Sequence, residues 1–88
     1  MEKSAKPIRF SEHAKSQFEF RGVTEEEIIE AIKTSKWAPA ELGRLECRKD
    51  FAFNKLWNNK SYKTKQVRPI FAEEPNEIVV ITVYVYYL

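Results

Sequence analysis

The stretch FRGVTEEEI, residues 20–28, decides the first half of the fold because it holds the end of one helix and the start of the next. Gly22 can adopt the left-handed conformation that ends many helices. Thr24 and Glu27 have the spacing of a capping box, in which each side chain binds the backbone N–H of the other residue. The stretch therefore predicts two helices that meet at a short corner.

The helices predicted on either side of this corner cover residues 12–20 and the segment from Thr24 to about Lys36. Ser11 has a side chain suited to capping the start of the first helix. The second helix must end before Pro39, because proline lacks the backbone N–H that a helix needs. The first half of the chain is therefore expected to be helical.

Beyond Gly43 the apolar residues alternate, which indicates β-strands. Strands are predicted over residues 45–56, 65–72 and 77–87, with a loop at 58–61 between the first two. The predicted fold is α+β, with two N-terminal helices packed on one face of a three-stranded antiparallel meander. Apolar residues of the last strand are expected to face the helices, namely Val79, Ile81, Val83 and Val85.

The other face of the predicted sheet depends on the strand register, which the sequence does not fix. If Arg48, Arg68 and the tyrosines of the last strand fall on the same side, this face is a basic surface that carries tyrosines. Alternatively, it packs on a second subunit.

Length and composition exclude several classes of protein. A chain of 88 residues is expected to form a single domain, residues 1–88. One cysteine and one histidine exclude a disulfide framework and a zinc site, and two glycines are too few for a phosphate-binding glycine loop. No apolar run is long enough to span a membrane, and the stretch MEKSAKPIRF has no apolar signal segment. We therefore predict a small, soluble, cytoplasmic domain without metal or cofactor.

The net charge of +2 hides an uneven distribution along the chain. Residues 1–46 carry −1, residues 47–72 carry +6 and residues 73–88 carry −3. The basic segment also contains aromatic residues, and bases interleaved with aromatics suit a phosphate backbone with stackable nucleobases. The segment therefore predicts nucleic-acid binding, although solvated lysine-rich loops have the same composition.

A polar line runs along the first predicted helix, where His13, Gln17 and Arg21 recur every fourth residue. The stretch HAKSQFEFRGVT, residues 13–24, followed by the residues EEI at 26–28, resembles the motif HAxxRxxxRGI(S/T)xEE(V/I). This motif opens a family of small bacterial and archaeal domains of unknown function. The closing stretch EIVVITVY is similar to the last strand of the same family.

The family is often grouped with RelE-like and BrnT-like toxins, which are metal-independent ribonucleases neutralised by an antitoxin protein. The resemblance implies a RelE-like arrangement of two helices followed by a sheet, RNA as the substrate and an antitoxin as a partner. Gln17 stands where the family has its first arginine, so the fixed positive charge is missing at that position.

Metal-independent RNA cleavage needs groups that remove the 2′-hydroxyl proton, stabilise charge on the phosphate and protonate the leaving oxygen. The resemblance and the basic segment together suggest a set of candidate catalytic residues: His13, Arg21, Arg68 and Tyr84. Further residues are predicted to contact RNA: Arg48, Lys49, Lys63, Lys65 and Tyr86.

Two other interpretations of the sequence stay open. The domain could bind RNA without cleaving it, which Gln17 favours. It could instead be an interaction protein, because the C-terminal stretch VYVYYL, residues 83–88, is apolar for an exposed strand. Such a strand suggests a homodimer or a strand taken from a partner.

Overall fold

The computed structural model describes residues 6–88, so the part of the predicted domain before residue 6 lies outside the described residues. The helices are α1 (Glu12–Arg21) and α2 (Glu25–Thr34). The strands are β1 (Ile8–Phe10), β2 (Ala38–Pro39), β3 (Leu45–Glu46), β4 (Lys49–Trp57), β5 (Lys60–Glu73) and β6 (Ile78–Tyr87). Within residues 6–88, no helix is both long and apolar enough to cross a membrane.

The corner between the helices is built as the sequence predicts. Gly22 ends α1 in the left-handed conformation with a φ of 74°. The Glu27 carboxylate accepts a hydrogen bond from the Thr24 N–H at 3.0 Å, and the Thr24 hydroxyl accepts one from the Glu27 N–H at 3.2 Å. α2 ends at Thr34, slightly earlier than predicted, because the next residue is already extended.

The sheet corrects the predicted three-stranded antiparallel meander, although the α+β class is right. It is a mixed, 6-stranded sheet with the order β1-β6-β5-β3-β2, and β4 also pairs with β5. β1 runs parallel to β6 and pairs Ile8 with Ile78 and Phe10 with Val80. β4, β5 and β6 follow one another as antiparallel neighbours, so this part of the sheet has the meander connection that was predicted for the whole sheet.

The strands that the prediction missed are too short to show an alternation of apolar and polar residues. β1 has 3 residues and β2 has 2 residues. They form because the backbone of β6 or β3 is available for pairing at that place, and this tertiary information is absent from the local pattern. The predicted strand over residues 45–56 is present but divides into β3 and β4.

The connection between β4 and β5 is a tight hairpin, where the sequence suggests a longer loop. Asn58 and Asn59 have φ angles of 53° and 66°. Positive φ at both central residues is typical of the two-residue turns that match the twist of a hairpin, and asparagine tolerates it. β5 therefore begins at Lys60 and extends over 14 residues.

A bulge in β6 shifts the alternation of its side chains by one residue. β5 pairs Ile70 with Thr82 but pairs Phe71 with Val80, so that Ile81 is an extra residue without a partner in β5.

The bulge reverses the orientation of the first part of β6 relative to the prediction. Ile78 and Val80 are buried towards the helices, so the prediction that Val79 and Ile81 face the helices is wrong. Beyond the bulge the alternation agrees with the prediction, and Val83 is fully buried. Tyr84 and Tyr86 therefore lie on the face opposite to Val83, as the alternation predicts.

The hydrophobic core lies between the two helices and one face of the sheet. Both layers contribute residues that are at most 1% exposed, and these include Ala14, Ile28, Ala31, Ile32, Val67, Phe71, Val80 and Val83. Burial of one such large aliphatic or aromatic side chain stabilises the fold by roughly 1.5–3 kcal/mol. The helices are thus held on one face, and within residues 6–88 no helix covers the opposite face of the sheet.

An ion pair joins β1 to the residue that precedes β6. The Nε and Nη2 atoms of Arg9 donate to the two carboxylate oxygens of Glu77 at 3.1 and 3.0 Å. This hydrogen bonding lowers the pKa of Glu77 below its ordinary value of 4.5 and raises the pKa of Arg9.

Glu77→Gln is expected to destabilise the protein slightly at neutral pH and to have no effect in strong acid. A carboxylate whose pKa is lower in the folded than in the unfolded chain stabilises the fold above its unfolded pKa. That stabilisation is lost as the pH falls through the folded pKa. The pair is exposed, so the effect is small. Urea midpoints of the two proteins should differ at neutral pH and converge in acid, whereas a difference independent of pH would contradict this role.

Candidate nucleic-acid interface

We call the face of the sheet that points away from the helices the open face. On β5, the residues between the buried positions lie on this face, namely Gln66, Arg68, Ile70 and Ala72. Their partners on β6 are Tyr86, Tyr84, Thr82 and Val79. The register that the sequence left open therefore brings Arg68 and both tyrosines to the same face.

Arg68 lies at the centre of the open face and binds both neighbouring strands. Its Nε donates to Oε1 of Glu46 at 2.9 Å, and its Nη2 donates to the same oxygen. Its Nη1 donates to the hydroxyl oxygen of Tyr86 at 3.2 Å. The hydrogen bond to Glu46, followed by the one to Tyr86, raises the pKa of Arg68 further above its ordinary value. The guanidinium is therefore a permanent positive charge.

Arg21 reaches the same place from the last turn of α1, beside β6. Its guanidinium carbon lies 5.6 Å from the ring centroid of Tyr84, and that of Arg68 lies 5.4 Å from it. These distances are those of cation–π contacts. Three of the predicted catalytic residues, Arg21, Arg68 and Tyr84, are thus close together.

Gln17, the residue that departs from the family motif, holds Arg21 in position. Its Oε1 accepts a hydrogen bond from Nε of Arg21 at 2.8 Å, one helical turn away. Within residues 6–88, the terminal nitrogens of Arg21 donate no hydrogen bond. Gln17 therefore orients a guanidinium whose outer edge is available to a ligand.

Arg48 lies next to Arg68 on the open face. The register of β3 and β4 against β5 places Arg48 opposite Arg68. Its neighbours Cys47 and Lys49 both contact α2, so Arg48 points the other way and is exposed. Among the described residues, none carries a carboxylate within ion-pair distance of Arg48. Arg48 is therefore a second arginine, after Arg21, whose guanidinium is available to a ligand, and it lies beside Arg68.

We call Arg21, Glu46, Arg68, Tyr84 and Tyr86 the arginine–tyrosine cluster. It combines two guanidinium groups, one carboxylate and two phenols on a solvent-facing surface. Both tyrosines are 38% exposed, so their rings and hydroxyls are accessible to a ligand. Guanidinium groups bind phosphate through paired N–H donors, and tyrosine rings stack on nucleobases.

His13, the remaining predicted catalytic residue, lies on the exposed side of α1. Two turns of helix, or roughly 12 Å along the axis, separate it from Arg21. Its side chain belongs to the same polar line as Gln17 and Arg21. The histidine is therefore not part of the group formed by Arg21, Arg68 and Tyr84.

Lys65 was predicted to contact RNA, but its ammonium group lies inside the protein. Nζ donates to the backbone oxygen of Gly22 at 2.9 Å and to Oε1 of Glu27 at 2.9 Å. The residue is 7% exposed. Its charge is neutralised internally, so we correct the assignment of Lys65 from RNA contact to structural contact.

Lys49, also predicted to contact RNA, faces the helices as well. Its Nζ lies 3.7 Å from a carboxylate oxygen of Glu30 on α2. Lys63 differs from both, because it is exposed and has no acidic side chain within ion-pair distance among residues 6–88. Of the lysines predicted to bind RNA, Lys63 is therefore the one whose charge is available.

Two residues that position members of the cluster were not predicted as site residues from the sequence. Glu46 fixes Arg68, and its position opposite Ile70 is visible only once the register is known. Tyr87 donates a hydrogen bond to the backbone oxygen of Arg21 at 2.6 Å and stacks on Trp57 at a centroid distance of 4.7 Å. Burial raises the pKa of Tyr87 above its ordinary value of 10.0. Tyr87 thus holds the end of α1, from which Arg21 projects.

Metal-ligating side chains do not cluster in the part of the chain that the structure describes. Residues 6–88 contain no group of three or more His, Cys, Asp or Glu side chains arranged to hold a metal ion.

Comparison with known proteins adds no relative to this description. No protein-family model, no curated protein and no solved structure matches the chain significantly. The family resemblance of the opening motif therefore stays a prediction, and the function has to be inferred from the chemistry of the open face.

Proposed function

We propose that the protein is a metal-independent ribonuclease that binds and cleaves RNA at the arginine–tyrosine cluster. The observation that carries the proposal is the approach of two guanidinium groups, from Arg21 and Arg68, to within 5.6 and 5.4 Å of the Tyr84 ring centroid. Arg21 belongs to α1 and Arg68 to β5, so the two guanidinium groups are neighbours because of the fold. A phosphodiester seated between them would have its negative charge stabilised from both sides.

Each step of the reaction has a candidate group in the cluster. A base removes the 2′-hydroxyl proton, the 2′-oxygen forms a bond to phosphorus, and the bond from phosphorus to the 5′-oxygen breaks. The Glu46 carboxylate is the candidate base. Tyr86 is the candidate acid, because its oxygen accepts from Arg68 and its own hydrogen remains available to the leaving oxygen. The products are a 2′,3′-cyclic phosphate and a 5′-hydroxyl.

The surroundings of the cluster supply binding energy. Arg48 is exposed beside Arg68 and has no internal partner among the described residues, so it suits a neighbouring phosphate of the strand. Lys63 is also exposed and unpaired within residues 6–88, but it lies five residues before Arg68 on β5, roughly 17 Å away, so it suits a more distant phosphate. Tyr84 can stack on a base, which contributes about 1–3 kcal/mol in single-strand binding. His13 lies roughly 12 Å from Arg21 along α1, so it would contact a neighbouring nucleotide and not the leaving oxygen at the cluster.

Arg68→Ala is expected to reduce RNA cleavage by about a hundredfold, because removal of one donor from a charge-stabilising site typically has this effect. Lys33→Ala, a change at an exposed cation on α2, should leave cleavage unchanged. The assay is cleavage of an end-labelled RNA by the full chain in excess EDTA, with detection of the 2′,3′-cyclic phosphate.

Circular dichroism must show that both variants are folded. A folded wild-type protein that leaves the RNA intact would refute the proposed reaction. Equal losses in the two variants would refute the role of the cluster.

A second candidate function is RNA binding without cleavage. The observation that favours it is the closed contact between Glu46 and Arg68, which occupies the candidate base with an internal partner. The same RNA would then be bound with an affinity that falls steeply with salt, and its length would stay unchanged. This outcome would replace the first proposal and keep the same surface.

The proposal extends to the partners and the location of the protein. An antitoxin that blocks this activity would have to cover Tyr84 and Tyr86, and a second copy bound through the C-terminal part of β6 would cover the same residues. A cytoplasmic location fits an enzyme that meets RNA and keeps its cysteine reduced. Light scattering of the purified chain, alone and at high concentration, measures whether the homodimer forms.

A further inference from the structure

A groove continues along the open face from the arginine–tyrosine cluster towards the turn before β6. The near part is lined by residues that include Glu46, Arg68, Ile70, Thr82 and Tyr84. The far part is lined by residues that include Arg9, Ala72, Glu74, Glu77, Val79 and Ile81. Leu42 and Arg44 of the loop before β3 line both parts, so the two parts adjoin at these residues.

The far part of the groove differs from the cluster in its electrostatics. Its floor is apolar, with Ala72, Val79 and Ile81. Its charged residues balance, because Arg9 is paired with Glu77 and the two others, Arg44 and Glu74, carry opposite charges. A phosphate gains little from a site without excess positive charge. The far part therefore suits a flat, uncharged group with polar edges.

Leu42 gives this part of the groove an apolar rim. The residue is 84% exposed and has a φ of 60°. A leucine side chain is rarely placed in the left-handed region, and its exposure removes the usual benefit of burial. Its side chain stands at the edge of the groove, where it can contact the face of an aromatic ring.

Arg44 and Glu74 supply complementary polar groups. Arg44 makes no ion pair within residues 6–88, and the carboxylate of Glu74 accepts no hydrogen bond there. Guanine offers two acceptors, O6 and N7, which an arginine binds as a pair. The same base carries N–H donors on its other edge that a carboxylate can accept. Adenine, cytosine and uracil do not combine two adjacent acceptors on one edge with paired N–H donors on another edge.

We infer that the far part of the groove binds a guanine base of the RNA strand whose phosphate is held at the cluster. The inference rests on the proposed RNA-cleaving function. Ala72, beside Arg44, is four residues from Arg68 along β5, or roughly 13 Å. The bound base therefore belongs to a nucleotide that flanks the cleaved bond, and the protein prefers RNA with guanine at that position.

The test uses nucleosides without phosphate and does not require cleavage. In a ¹⁵N–¹H spectrum of the full chain, guanosine should shift the amide signals of Leu42, Ala72 and Val79, while cytidine and ribose 5-phosphate should not. Arg44→Gln should weaken guanosine binding about tenfold. Leu42→Asn should weaken it several-fold without lowering the melting temperature, because asparagine tolerates the left-handed conformation. Lys33→Ala serves as the matched control on the opposite layer.

The outcomes separate this inference from the proposed function. Guanosine binding at these amides by a chain that does not cleave RNA would support the base site and refute the nuclease. A chain that cleaves RNA but shows no guanosine shifts would overturn the inference and keep the nuclease. Equal shifts with ribose 5-phosphate would also overturn it, because they would identify the far part as a phosphate site.

Discussion

Gly22→Ala is expected to lower the free energy of unfolding by about 4 kcal/mol, a large share of the stability of a small domain. Gly22 has a φ of 74°, where an L-residue is strained by about 1–2 kcal/mol. A Cβ atom there would also lie 2.6 Å from the hydroxyl oxygen of Tyr87 and 2.7 Å from the ring of Trp57. Both groups would have to move, and Tyr87 would lose its hydrogen bond to Arg21.

Gly43→Ala is the matched control, because Gly43 has nearly the same conformation without the neighbours. Its φ is 72°, and no atom lies within 4 Å of the position that a Cβ would occupy. The free energy of unfolding of this variant should fall only by the strain of the left-handed conformation, about 1 kcal/mol. Urea unfolding of both variants measures the difference, which isolates the steric contribution of Tyr87 and Trp57. Equal losses in the two variants would contradict the importance of that contact.

The helical half of the fold was predictable because its signals are local. The capping box of Thr24 and Glu27 and the left-handed Gly22 depend on residues at most a few positions apart. The sheet was less predictable because pairing joins distant residues. The position of β1 beside β6 and the bulge at Ile81 follow from packing across the whole chain, and no alternation of residues reports them.

The candidate site shows the same division between local and distant information. Alternation along β5 and β6 placed Arg68 and Tyr84 on one possible face, and the register of the strands makes them neighbours. Lys63 and Lys65 look alike in the sequence, yet one is exposed and the other is buried. What separates them is a carboxylate 38 residues earlier in the chain, that of Glu27, which contacts Lys65.

Lys65→Met is expected to lower the free energy of unfolding by about 3 kcal/mol, because it removes one partner of a largely buried ion pair. The side chains of Lys65 and Glu27 are 9% and 22% exposed, and their charged atoms are 2.8 Å apart. Methionine keeps most of the apolar stem but leaves the Glu27 carboxylate and the Gly22 carbonyl without the ammonium. Urea unfolding at neutral pH measures the loss.

Lys63→Met provides the control two positions away. Lys63 is exposed and has no ion pair within residues 6–88, so the change should alter stability by no more than about 0.5 kcal/mol. The double variant Lys65→Met with Glu27→Gln should lose less free energy of unfolding than the sum of the losses in the two single variants, because no uncompensated charge stays buried. Strict additivity would show that the two side chains do not interact energetically.

The two lysine variants also separate charge that stabilises the fold from charge that binds RNA. Lys65 holds the carbonyl of Gly22, the residue after Arg21, so its loss acts on RNA only through the position of the α1 terminus. Lys63 is exposed and has no ion pair within residues 6–88, so under the proposed function Lys63→Met should weaken RNA binding and reduce its salt dependence by about one phosphate contact. Under conditions where both variants are folded, Lys65→Met should keep the wild-type salt dependence. A reduced salt dependence in Lys65→Met would show that its buried ammonium reaches the RNA after all.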